Sequence, residues 1–193
     1  RIDTLMAGEF VWTGFDYLGE PTPVLFFEES PVWGNFQATR QGWDARSSYF
    51  GIVDLAGLPK DSYYNYRSLW NLEDHTVHLS PHWNWEGREG ENIPVILYTD
   101  GDEAELFLNG KSLGLRKKIN PDELELSKNI AGGIDYVVNA EDHPGAYYDV
   151  LDAYRLRWLD VPYEAGELKA VSYLRGKMIG EATVRTAGEP REL

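Results

Sequence analysis

The sequence predicts an α+β chain: an aromatic-rich first part carrying one helix, then an all-β sandwich. Three observations predict it. Residues 1–75 hold 15 of the 26 aromatic side chains. Within them Tyr63, Tyr66, Leu69 and Trp70 recur at helical spacing. From Thr76 onward short apolar runs alternate and are separated by turn residues, which is the pattern of half-buried strands.

The chain has 193 residues, room for one large domain or two small ones. Hydrophobic residues make up 42% and aromatics 13%, which excludes a disordered chain. The formal charge is −14, from 18 Lys+Arg against 32 Asp+Glu, so nucleic acid and anionic lipid are not expected as partners. No apolar run approaches the roughly 20 residues that span a bilayer. There is no cysteine, hence no disulfide and no thiolate chemistry, and no compartment is indicated. Arg1–Ala7 reads as the last turn of a helix begun earlier, and Thr186–Leu193 stops just after a strand. The expectation is a fragment cut at both ends, with any localisation signal outside it.

In order, Phe10–Phe15 reads as a short buried strand, apolar and aromatic between glycines. Gly14 marks a place where a ligand or another backbone comes close. Asp16, Tyr17 and Glu20 follow, and Pro21 and Pro23 then force irregular structure. A strand releasing an aromatic and two carboxylates into a proline-rich loop has the layout of an active-site rim. The competing reading is that Trp12 is core and the carboxylates are solvated. Val24–Arg46 is irregular, and so long a run is usually functional. Ser48–Val53 is extended, Asp54–Pro59 a turn, and Lys60–Leu72 a helix capped by Asp61 or Ser62. Asn71–His75 marks the boundary, giving domains 1–75 and 76–193.

Beyond it, strands are expected at Val77–Pro81, Pro94–Thr99, Ala104–Leu108, Ser112–Arg116, Tyr154–Val161, Gly166–Leu174 and Met178–Thr186. Asn109-Gly110 signals a hairpin, because both positions tolerate positive φ. Arg175-Gly-Lys177 signals another. Tyr154, Leu156 and Trp158 share one strand face. Residues 119–150 read as an excursion. Short strands at this spacing argue for an immunoglobulin-like sandwich.

Most chemical constellations fail. His75 and His78 face opposite sides of a strand and no carboxylate completes a recognisable set, so no metal is expected. No nucleophile elbow or phosphate-binding loop is present. Trp83 and Trp85 offer a sugar platform or, preferably, a plug between the two domains.

Gly8–Pro23, Ala45–Asp61 and Tyr64–Trp70 closely resemble the end of the catalytic barrel in family 2 glycoside hydrolases, especially bacterial β-galactosidases. Thr76–Trp85, Glu105–Gly114 and Tyr163–Val171 resemble the immunoglobulin-like domain that follows it in one branch. The resemblance implies that Phe10–Phe15 is the last strand of a (β/α)8 TIM barrel, followed by a long loop and the last helix, Lys60–Leu72. It implies that Trp12 floors the subsite for the non-reducing sugar, that Asp16 lies close to that subsite and that Glu20 lies in the rim loop. The family's retaining mechanism uses one Glu as nucleophile and another as acid and then base. Both are implied to lie on earlier barrel strands. Glu9 sits at the N-terminal start of its strand, the stabilising face, so no catalytic residue is expected here. A lone barrel strand lacks partners on both edges, so residues 1–75 are expected to be poorly closed.

The expected function is therefore part of a retaining β-galactosidase acting on terminal β-galactosides, with no cofactor and with the remainder of the parent chain as partner. The chain alone is expected to be inactive. Residues 76–193 are expected to be a structural brace that binds nothing; the alternatives are a β-glucuronidase of the same family and a non-catalytic module gripping glycan through Trp83, Trp85 or Trp158.

Overall fold

The structure, a computed structural model, describes residues 10–19, 47–120 and 151–188. Glu20, the irregular run 24–46 and all of the 119–150 excursion beyond Asn120 lie outside the described residues. The chain divides into two compact units between Tyr63 and Tyr64. The division falls inside helix α1 (Asp61–Trp70), somewhat shorter than the sequence suggests.

The unit from Tyr64 onward is a two-layer antiparallel sandwich. Its strands are β1 (Val77–Ser80), β2 (Asn92–Thr99), β3 (Glu103–Leu108), β4 (Lys111–Lys117), β5 (Leu156–Pro162), β6 (Glu167–Leu174) and β7 (Lys177–Arg185). One sheet has the order β1-β2-β5 and the other β4-β3-β6-β7. All seven expected strands are present, with ends shifted by a residue or two. Period-two alternation decides which side chains go inside: Ile93, Val95 and Leu97 of β2, Ala104, Leu106 and Leu108 of β3, and Leu168 and Ala170 of β6 are all buried.

The hairpins follow from local chemistry. Asn109 and Gly110 have φ of 49° and 80°, and Arg175 and Gly176 have 52° and 74°. Positive φ at both central residues matches the twist of the flanking strands. Asn109 also ties this turn to the next one in space. Its side-chain oxygen accepts from the Glu167 N–H at 2.8 Å, and its amide donates to the Ala165 carbonyl at 3.2 Å. The ladder between β3 and β4 shifts register between Glu105 and Phe107, where Gly114 on β4 has φ of 99°.

Trp83, Trp158 and Tyr163 are the large side chains at the centre of the core, at 0%, 1% and 1% exposure. The Trp83 indole N–H donates to the Glu164 carbonyl at 2.9 Å, and its ring meets Tyr163 edge to face at 5.3 Å. Trp83 is therefore neither a sugar platform nor a plug between domains. It is core of the sandwich, because residues 81–91 fold over one end and are tied there through Thr186 and Ala187. Trp85 has its ring stacked on His82 at 4.7 Å and under Arg88 at 5.3 Å. Trp158 cannot grip glycan either: it is sealed inside, with the Arg116 guanidinium 5.8 Å from its ring centre. Tyr154, expected on the same strand face, sits in the helical turn before β5 and is exposed. Arg157, which alternation would place outside, is buried instead and pairs through two nitrogens with Asp152 at 2.6 and 2.9 Å.

The helix also departs from expectation. Tyr66, Leu69 and Trp70 do not form a buried stripe; Leu69 and Trp70 are exposed, and Trp70 packs on Tyr66. The face that docks on β1 carries Tyr64, Arg67 and buried Ser68. Tyr64 stacks on His78 at 3.6 Å, and Arg67 donates to the His75 carbonyl and the Thr76 hydroxyl. Tyr64 lies off the repeat of Tyr63, Tyr66, Leu69 and Trp70, and Arg67 docks through hydrogen bonds, which an apolar periodicity does not weigh.

His75 and Asp100 hold the start of β1, with Nδ1 2.6 Å from Oδ2, while the Thr76 N–H donates to the other carboxylate oxygen. Burial alone would raise the Asp100 carboxyl, but hydrogen bonds from His75 and Thr76 and the charge of His75 outweigh it and hold it low. Nearby, Lys118 donates to the Thr99 carbonyl. Burial pushes its ammonium down to about 8, against the upward pull of Asp100 and Asp102. Unfolded, Lys118 titrates near 10.5, so between about 8 and 10.5 the unfolded chain holds more proton than the folded one. The stability of this unit therefore rises with pH across that window. Lys118→Met is expected to remove the rise, as read by urea midpoints at pH 8 and 10.5. Asn109→Ala is expected to cost about 1–3 kcal/mol in urea unfolding, because two side-chain hydrogen bonds and a residue suited to positive φ are lost together.

Candidate functional site

The candidate site lies in the unit that ends at Tyr63. Phe10–Phe15 is not a buried strand there. Phe10, Trp12 and Phe15 are exposed, Trp12 at 72%. The physical reason is the pairing: the segment has a neighbour on only one edge among the described residues. That neighbour is Gly51–Val53, which lies parallel to it. Thr13 and Gly14 carbonyls accept from the Ile52 and Val53 N–H groups at 3.0 Å each, and the Asp16 N–H donates to the Val53 carbonyl at 2.9 Å. Trp12 stands one residue before this short ladder, and the peptide joining it to Thr13 is cis.

Asp16 is the anchor of the arrangement. It is 7% exposed. One carboxylate oxygen accepts the Gly51 N–H at 2.8 Å, and the other meets the Lys60 ammonium at 2.6 Å. The same ammonium donates to the Tyr49 carbonyl at 3.0 Å, and the Lys60 N–H donates to the Ile52 carbonyl at 3.0 Å. Both oxygens of Asp16 are thus engaged inside the unit. Ser48, wholly buried, exchanges bonds with Tyr17 through its N–H and its hydroxyl, each 3.0 Å long. The expected turn is present: Asp54 accepts from the Ala56 and Leu58 N–H groups, and Gly57 has φ of 82°.

Gly51 is where two backbones come closest. A Cβ there would lie 2.2 Å from the Asp16 nitrogen and 2.4 Å from the Phe15 carbonyl carbon. The close approach that the sequence suggests at Gly14 is at Gly51 instead; a Cβ on Gly14 would meet nothing.

Of the three residues singled out in the sequence, Trp12 and Asp16 sit on one short segment, Trp12 open and Asp16 buried. Glu20 lies outside the described residues. Gly51 and Lys60 escaped the residue-level reading. Lys60 reads there as the first residue of a helix, and no spacing rule links it to Asp16. Among the described residues no group of three or more His, Asp or Glu side chains is placed to hold a metal.

Comparison with known proteins supplies the class. A domain family described as a domain of unknown function (DUF4982) matches residues 90–180, most of the sandwich. Over the full chain, 38% of residues are identical to "Beta-galactosidase BoGH2A" of Bacteroides ovatus, and the match covers 17% of that protein. A "Putative beta-glucuronidase" of Formosa agariphila is 34% identical over 97% of this chain and 14% of its own length. The solved structure of a glycosyl hydrolase family 2 member from Bacteroides cellulosilyticus superposes with a TM-score of 0.60 and 27% identity, covering 92% of this chain and 21% of that one. In sequence and in fold the chain is similar to glycoside hydrolases. More narrowly, its neighbours are members of family 2, and it corresponds to a segment of them. The chain spans less than a fifth of the length of the curated relatives it matches.

Gly51→Ala is expected to prise the ladder apart, speeding hydrogen exchange of the Ile52 and Val53 amides by at least about tenfold while the sandwich amides keep their protection.

Proposed function

We propose that residues 1–75 are the C-terminal segment of a (β/α)8 barrel in a retaining β-galactosidase, and that residues 76–193 are an immunoglobulin-like accessory sandwich. The observation that carries this reading is the open indole of Trp12 at the end of the 13–16 ladder. A flat aromatic that stands beside a hydrogen-bonded ladder and is left uncovered suits the apolar face of a pyranose. The match of this whole chain to a segment of a relative named as a β-galactosidase supports the choice of sugar. The sandwich order supports the accessory domain, because β4-β3-β6-β7 facing β1-β2-β5 follows immunoglobulin-like pairing. In this reading Trp12 floors the sugar subsite, Asp16 stands beside it and shapes it, and Glu20 belongs to the rim. The two catalytic glutamates are supplied by the preceding barrel strands, where one forms the glycosyl-enzyme and the other protonates the leaving oxygen and then activates water.

The second reading is β-glucuronidase, favoured by the near-equal similarity to the Formosa protein. A glycan-gripping sandwich is disfavoured, since Trp83 and Trp158 are sealed in its core.

The parent protein is expected to hydrolyse p-nitrophenyl β-galactoside, and the 193-residue chain alone to leave it untouched. Turnover of the glucuronide and not the galactoside by the parent would move the assignment to the second reading, and turnover by the isolated chain would overturn the placement of the catalytic pair. In the parent, Trp12→Ala is expected to lower kcat/KM by about 10- to 100-fold, the loss of one stacked ring.

A further inference from the structure

Lys60 ties together the backbone on either side of Gly51. Its side chain and its own N–H reach three different groups: the Asp16 carboxylate, the Tyr49 carbonyl and the Ile52 carbonyl. These groups bracket Gly51, which Asp16 also holds through its other oxygen. Gly51–Val53 is in turn the only described backbone that pairs with Thr13–Asp16. The path from the ammonium to Thr13, the residue that follows Trp12, is therefore a few hydrogen bonds long. Each link is fixed by geometry, since Gly51 leaves no slack for a side chain. The Asp16 side chain is 4% exposed and that of Lys60 30%, so the pair is shielded on one side and replaces two hydration shells with one short contact. A buried carboxylate that lost this cation would be left charged and half-solvated, and the segment would rearrange to reach water.

We propose that Lys60 is a positioning residue for sugar binding: through Asp16 and the 49–53 segment it sets the plane of the Trp12 indole. The inference rests on the reading of Trp12 as the subsite floor. Because a stacked ring is in place before the bond breaks, misplacing it weakens substrate and transition state alike, and the effect belongs in KM. A group that only held the fold together would lower the amount of active enzyme and leave KM alone.

The test uses the parent protein carrying Lys60→Met, Asp16→Asn, the double variant, Lys60→Arg and Trp12→Ala, each checked for a native-like thermal melt. Lys60→Met and Asp16→Asn are each expected to raise KM by about tenfold or more with kcat within about twofold of wild type. The double variant is expected to be no worse than the poorer single one, because both act through one contact. Lys60→Arg, which keeps the cation, is expected to recover most of the lost KM. Should Lys60→Met fail to fold, Asp16→Asn and Lys60→Arg decide by the same KM criterion. Folded variants with an unchanged KM, or with a reduced kcat at unchanged KM, would overturn the inference while leaving Trp12 in place. A wild-type parent without glycosidase activity, or a Trp12→Ala variant with an unchanged KM, would overturn the underlying reading first.

Discussion

The sandwich exists because three large rings, Trp83, Trp158 and Tyr163, are shut between two sheets with essentially no contact with water. Rings of this size bury on the order of 150–250 Å² each, so they dominate what holds the layers together. Their positions dictate the rest. The 81–91 segment must fold back over the end of the sheets so that the Trp83 indole can reach the Glu164 carbonyl. Arg116 lies over Trp158 at the margin of the core. The Trp158 indole N–H, buried without a hydrogen-bond partner, is an unfavourable term that this packing outweighs.

The unit before Tyr64 works by the opposite principle. Phe10, Trp12, Phe15 and Leu18 are exposed, and the geometry is held by polar contacts converging on Asp16 and by a glycine with no room for a Cβ. Apolar burial is indifferent to direction, whereas a carboxylate between an ammonium and an N–H fixes direction closely. Hydrogen-bonded anchoring therefore keeps this short segment in register while its rings stay exposed. A greasy core would have pulled the same rings inside.

Alternation and turn chemistry made the sandwich legible. Val95, Leu97, Leu106 and Leu168 point inward as a period of two requires, and Asn109, Gly110 and Gly176 adopt the positive φ that their residue types favour. The failures share a cause as well. Trp83 escapes pattern reasoning because indoles in a non-strand segment have no period to place them. The docking face of α1 escapes it because Tyr64 and Arg67 pack through a stack and hydrogen bonds that hydrophobicity does not register. Arg157 is buried because Asp152 meets it, a pairing across a helical turn that alternation cannot see. In the candidate site, Trp12 and Asp16 were visible as residue types in a suggestive loop. Lys60 and Gly51 act through tertiary contacts and left no mark in local spacing.

The irregular rims of the sandwich have a consequence for how such a unit can be used. β4 carries Lys111, Arg116 and Lys117 and is kinked at Gly114; β7 shifts register against β6 opposite Tyr173, and β1 is only four residues long. Unpaired strand borders invite neighbouring chains to zip on, and charge, kinks and brevity all frustrate that. A module fenced in this way can be strung beside others in a long polypeptide, at high local concentration, without cross-stitching into aggregates.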